Sequence, residues 1–133
     1  MSENIDKRFM LRPFCDNDYH GFVDLRNTLF PDHPTSVEQV LHNDKVHDGK
    51  IQQKSWVYEQ NGKIVVSAMY TQFFEAYHPK KFVIIIHVLL DIQGKGYGAS
   101  SYNYLMNKLK PFNPIKITSE VNEIHVRSIR FLI

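Results

Sequence analysis

Apolar residues recur along the chain at two periods, about two and about 3.6, and the switch between them marks the elements. Arg8 to Phe14 reads as a short strand. Asp16, Asn17 and Asp18 follow as helix-start residues, and Tyr19, Phe22, Val23, Leu25, Arg26 and Leu29 then fall at helical spacing, with an end near Pro31. Thr35 and Glu38 have the spacing of a capping box, and Val37, Val40 and Leu41 form the stripe of a second, shorter helix that fades into the polar stretch Asn43 to Lys54. Trp56 to Glu59 and Lys63 to Gln72 are strand-like runs joined by Asn61-Gly62, a pair that tolerates positive φ and so predicts a type I′ hairpin.

After a break at Tyr77, His78 and Pro79, Lys81 to Leu90 is a nearly unbroken β-branched run, the composition of a central strand buried on both faces. It leads into Gln93-Gly94-Lys95-Gly96-Tyr97-Gly98-Ala99 and then into a helix carrying Tyr102, Leu105, Met106 and Leu109. Pro111 and Pro114 punctuate its end. Ile115 to Val121 reads as another strand, and Glu123 to Ile133 as a helix with Val126, Ile129 and Ile133 as apolar residues. Ile133 falls inside that helix with no Gly cap after it, so the chain reads as cut short.

Composition narrows the class. With 133 residues, 43% apolar and 13% aromatic, residues 1–133 suit one domain that closes its core without disulfides or metal. Sixteen basic against fourteen acidic side chains, interspersed, give a formal +2 and imply no nucleic-acid partner. A single cysteine, Cys15, forms no internal disulfide and favours a reducing, cytoplasmic compartment. Met1 to Arg8 carries no apolar signal core, and the longest apolar run (Phe82 to Ile86, resuming at Val88) is far short of a bilayer span, so no membrane partner is expected. The seven histidines include no His-x-x-x-His pair, and no metal site is expected.

A buried strand running into three glycines at alternate positions and then into a helix suits a phosphate or pyrophosphate. Glycine lets the backbone turn sharply and approach a ligand, while the first-turn amides of the helix point outward as donors at its positive end. Lys95 adds a cation at the rim. The Walker pattern fails, because Gly94-Lys95 is followed by Gly96 instead of Ser or Thr; the dinucleotide fingerprint fails, because Gly94, Gly96 and Gly98 are one residue too tight. Kinase and dehydrogenase chemistry are therefore disfavoured.

Gln93-x-x-Gly96-x-Gly98 resembles the Gln/Arg-x-x-Gly-x-Gly/Ala signature of the GCN5-related N-acetyltransferase (GNAT) family, and the order of elements agrees over nearly the whole chain. The resemblance implies an α/β fold of the acyl-CoA N-acyltransferase type, a mixed and mostly antiparallel central sheet flanked by helices, apparently truncated after the fourth helix. It implies that the main chain of Gln93, Gly94, Lys95, Gly96, Tyr97, Gly98 and Ala99 binds the pyrophosphate of acetyl-CoA. It also implies that the backbone edge of Val88, Leu89 and Leu90 pairs with the pantetheine arm, beside a β-bulge or splay. The chain departs from the family pattern at two positions: His125 stands three before Ser128 where Asn is common, and Leu132 stands where a Tyr usually serves as general acid. With the last two strands missing, the edge along Ile115 to Val121 would be uncovered and open to pairing with another chain, as in a homodimer.

Acetyl transfer to an amine needs a neutral nitrogen and donors aimed at the developing oxyanion. A lysine-like amine has a pKa of about 10.4, so a base or water chain must take its proton. His87, Asp91, Glu120 and His125 are candidates, of which Glu120 and His125 are carried forward as catalytic residues. His87, among isoleucines, also reads as a core histidine, Cys15 as inert packing, and Phe73, Phe74, Tyr77 and His78 as core or rim packing before a substrate pocket. The expectation is an acetyl-CoA-dependent N-acetyltransferase acting directly on a primary amine of a small molecule or peptide. Its rival is a non-catalytic CoA-binding or degenerate acetyltransferase domain of a longer, tandem protein.

Overall fold

A computed structural model describes residues 9–47, 52–72 and 80–122. The expected helix at Glu123 to Ile133, with His125, and the aromatic group Phe73, Phe74, Tyr77 and His78 lie outside the described residues. Five strands, β1 (Arg12–Pro13), β2 (Gln53–Gln60), β3 (Lys63–Gln72), β4 (Lys81–Val88) and β5 (Lys116–Asn122), form one sheet in that spatial order. Every neighbouring pair is antiparallel except β4 and β5, which run parallel. Helices α1 (Tyr19–Leu29) and α2 (Val37–His47) precede the hairpin, and α3 (Tyr97–Leu109) makes the crossover between the parallel strands. The mixed, mostly antiparallel sheet read from the sequence is therefore the sheet observed.

The hairpin forms as its turn residues dictate. Asn61 and Gly62 take φ of 53° and 77°, and Gln60 pairs with Lys63 around them. Several boundaries differ from expectation: β2 starts at Gln53, three residues before Trp56, and four others differ for local reasons. The first strand shrinks to Arg12–Pro13 because the chain turns at once into a single helical turn, Asp16–Asp18. There Asp18 accepts from Arg12 at 2.8 and 2.9 Å and from the Cys15 amide at 2.8 Å. The second helix is capped by Ser36, whose Oγ accepts from the Gln39 amide at 3.1 Å, while Thr35 is held by Asn27 through both its amide and its carbonyl. That helix also runs on to His47, into the polar stretch where it was expected to fade. The fourth strand stops at Val88, since Leu90–Ile92 coil into a helical turn closed by Ile92 N–H to Leu89 O and Gln93 N–H to Leu90 O.

The alternation of β4 divides the molecule into two faces. Phe82, Ile84, Ile86 and Val88 are wholly buried and pack with Tyr97, Leu105 and Leu109 of α3, Trp56, Tyr70, Ile117 and Val121. Val83, Ile85 and His87 face the opposite way and are only partly covered, on the side where α1 brings Leu25 onto Val57 and Ile64. A bulge where Tyr58↔Val66 gives way to Glu59↔Ile64 leaves Val65 as the extra residue and turns Ile64 toward that second cluster.

Two buried hydroxyls, Ser101 on α3 and Ser119 on β5, have no hydrogen-bond partner among the described residues. Ile84→Ala, in the middle of the fully buried face, is expected to cost about 2–5 kcal/mol. Ser101→Ala is expected to be neutral or to stabilise by about 1 kcal/mol, because no partner is left behind. Denaturant melts of the two variants check both values, and a strongly destabilised Ser101→Ala would contradict the packing described.

Candidate functional site

The site grows from the end of β4. Leu89 donates its amide to Val65 O at 2.8 Å, toward β3, so the polar groups of Val88 point the other way, toward β5. The described pairing of β4 with β5 ends at His87↔Asn122. Past that pair the Val88 carbonyl accepts from the side-chain amide of Gln93 at 2.8 Å, which ties the loop back to the strand it has just left. Leu90 and Asp91 are exposed in the helical turn between them.

The chain then bends through Gly94 at φ 79° and Gly96 at φ 104°, both in the left-handed region where a Cβ is strained. α3 starts at Tyr97, and the amide of Ser100 donates to Gly96 O at 3.0 Å. Among the described residues, the backbone amides of Gly94, Lys95, Gly96, Gly98 and Ala99 have no hydrogen-bond partner. They sit at and just before the positive end of a 13-residue helix, a donor set suited to a multiply charged oxyanion. Lys95 lies partly covered in the same bend. Tyr97 serves a different purpose with its side chain: it is buried, stacks on Tyr58 at 5.8 Å, meets Phe9 edge-on, and accepts a 3.3 Å hydrogen bond from Gln60, which anchors the helix start.

On the other face of the sheet lies a cavity of about 60 Å³. Cross-strand register builds its floor: Ser55↔Met69↔Ile85 form one row, which Glu120 continues in register, and Ser67↔His87 the next. Phe14 from the stretch after β1, Phe22 of α1, and Val40 and Asp44 of α2 form its other walls. Glu120 is thus beside Ile85 on the cavity side of β5, exposed to solvent. His87 sits under Phe22 and Phe30, with ring separations of 6.3 and 5.5 Å, and its Nδ1 lies 3.4 Å from Ser67 Oγ. Burial, with a smaller contribution from the Arg26 charge, lowers its pKa to about 4, so at neutral pH it is an uncharged wall residue and too weak a base for an ammonium.

A sequence model of the Acetyltransferase (GNAT) family matches residues 19–132. The chain belongs to that family. Among solved structures, an N-acetyltransferase from Staphylococcus aureus Mu50 superposes with a TM-score of 0.69 at 17% identity, covering 83% of this chain and 71% of its own. A ribosomal-protein-alanine N-acetyltransferase from Brucella melitensis gives 0.67 at 19% identity, over 84% and 73%. A GNAT family acetyltransferase from Brucella melitensis in complex with acetyl-CoA gives 0.62 at 15% identity, over 84% and 74%. No curated protein matches at a significant level. These likenesses establish the GNAT fold.

Within that GNAT frame the structure brings Val88 through Ala99 into one continuous turn and sets Glu120 on the cavity face. Cys15 is exposed and lies 3.3 Å from Asp18 Oδ2, apart from the cavity lining. Among the described residues no group of three or more His, Cys, Asp or Glu side chains is placed to hold a metal ion. Asp44, Ser67 and Phe22 were not read from the sequence as site residues. Period alone placed Phe22 on the buried side of α1, and the only signal for Asp44 was an acidic residue late in a helix with a weak apolar stripe.

The displaced histidine has a measurable consequence. Its folded pKa lies below the ordinary 6.5, so the unfolded chain binds the extra proton between about pH 4 and 6.5, and stability falls as pH drops through that window. The loss should reach roughly 3 kcal/mol at the lower end. His87→Gln is expected to flatten the melting temperature across this range. Asp18, whose carboxylate is held below the usual range by hydrogen bonds from Arg12, should retain its own loss at more acidic pH.

Proposed function

We propose that this chain is an N-acetyltransferase that moves the acetyl group of acetyl-CoA directly to a primary amine. The observation that carries this reading is the set of unpaired amides at Gly94, Lys95, Gly96, Gly98 and Ala99, converging at the start of α3. They fit the diphosphate of the cofactor in number and sign, and Gln93 and Tyr97 complete the segment. The pantetheine arm then meets the β4 edge at Val88 and passes Leu89 and Leu90, and a bond to the Val88 carbonyl requires the Gln93 amide to swing away.

Acetyl-CoA supplies an activated thioester; the chain supplies orientation and a path for one proton. The cavity under α1 and α2 takes the acceptor, and Glu120, on the same face beside Ile85, accepts the proton of the attacking amine through water. His125 remains a second candidate in the segment after β5. One exposed, free cysteine supports a reducing, cytoplasmic setting, and among the described residues no helix is long and apolar enough to cross a membrane.

Coenzyme A at about a hundred times its Kd should stabilise the chain by about 2.7 kcal/mol. Gly96→Val should abolish that shift, because the φ of 104° excludes a branched residue. Acetyl-CoA with an amine panel should release free thiol. A shift without thiol release identifies a non-catalytic cofactor-binding domain, and no shift at all removes both readings.

A further inference from the structure

Among the described residues, Asp44 supplies the only carboxylate that lines the cavity, and no Lys or Arg lines it. Asp44 is partly buried on α2. Its Oδ2 accepts from the Tyr19 hydroxyl at 2.7 Å, and its Oδ1 accepts from Gln53 Nε2 at 3.4 Å. Burial, and then the bond to Asp44, raise the Tyr19 pKa to about 12, so the phenol remains a donor and holds the carboxylate in place. Phe14 and Phe22 lie against the same space, and aromatic faces attract cations. A carboxylate fixed in an aromatic, apolar recess with no cation among the described residues that line it is half of an ion pair.

Resting on the acetyltransferase reading above, we propose that Asp44 binds an ammonium group that stays charged throughout the reaction, so that the acceptor is a diamine acetylated at its far end. A nitrogen that attacks a thioester must be neutral, whereas contact with a carboxylate favours the charged form. Asp44 is therefore suited to the amine that does not react. Position agrees: Asp44 lines the same cavity as Ile85 and His87 of β4, the strand whose end leads into the phosphate bend. In the transfer, the reactive nitrogen forms the C–N bond, the C–S bond breaks, and one proton passes to the base while the thiolate is released. The ammonium on Asp44 keeps all its protons.

The test compares diaminohexane with hexylamine as acceptors for the whole chain and for Asp44→Asn, following thiol release. The expected result is a kcat/KM about tenfold or more higher for the diamine in the native chain. In Asp44→Asn that advantage disappears through KM with kcat retained, and the stabilisation by coenzyme A is unchanged. In the native chain added salt should raise the diamine KM and leave that of hexylamine unaffected. Equal use of the two amines by the native chain, or an equal loss for both in the variant, overturns the assignment while leaving the acetyltransferase reading intact. If neither amine releases thiol, that reading fails instead. Calorimetric binding of diaminohexane then decides the role of Asp44: heat lost in Asp44→Asn supports it, and no binding to the native chain overturns it.

Discussion

A strand hydrogen-bonded on both sides has no freedom to deliver its last residues anywhere but straight on, and β4 is such a strand, antiparallel to β3 and parallel to β5. The turn from its end into α3 must therefore be made within a few residues, which requires left-handed backbone at Gly94 and Gly96. A bend so tight leaves little room for the loop to satisfy its own amides. What would be a cost in a buried loop becomes a donor set at the positive end of α3, open to an oxyanion. The Gln93 side chain steadies the arrangement by closing onto the Val88 carbonyl.

The same strand divides the molecule into its two faces. Its wholly buried residues, Phe82, Ile84, Ile86 and Val88, seat α3 and so fix where the bend begins. Its other residues, Ile85 and His87, floor the cavity beneath α1 and α2. Glycine bend and cavity are thus set by one register, and a one-residue slip of β4 would exchange the two faces together.

Most of this was legible in the sequence where a single local rule decides the outcome. Asn61-Gly62 specifies its turn through positive φ, the β-branched run specifies a central strand, and the glycine spacing specifies the bend. Legibility failed where two local options competed. Thr35 and Ser36 both offer a cap, and the choice went to Ser36 because Asn27, eight residues back, already holds Thr35. Leu89 and Leu90 continue the apolar run, yet the chain coils there, closed by the hydrogen bonds Ile92 N–H to Leu89 O and Gln93 N–H to Leu90 O. Asp44 was invisible for a different reason: its meaning comes from Tyr19 and Gln53, and nothing in a helix pattern says that three such distant residues meet.

The central claim is that the amides between residues 94 and 99 hold a diphosphate, and a residue-resolved amide titration by nuclear magnetic resonance reads it directly. Coenzyme A is predicted to move the amide resonances of Gly94, Lys95, Gly96, Gly98 and Ala99, and pantetheine, which lacks the diphosphate, to leave them nearly in place. Resonances that stay fixed with coenzyme A, or that move equally with both compounds, would contradict the account.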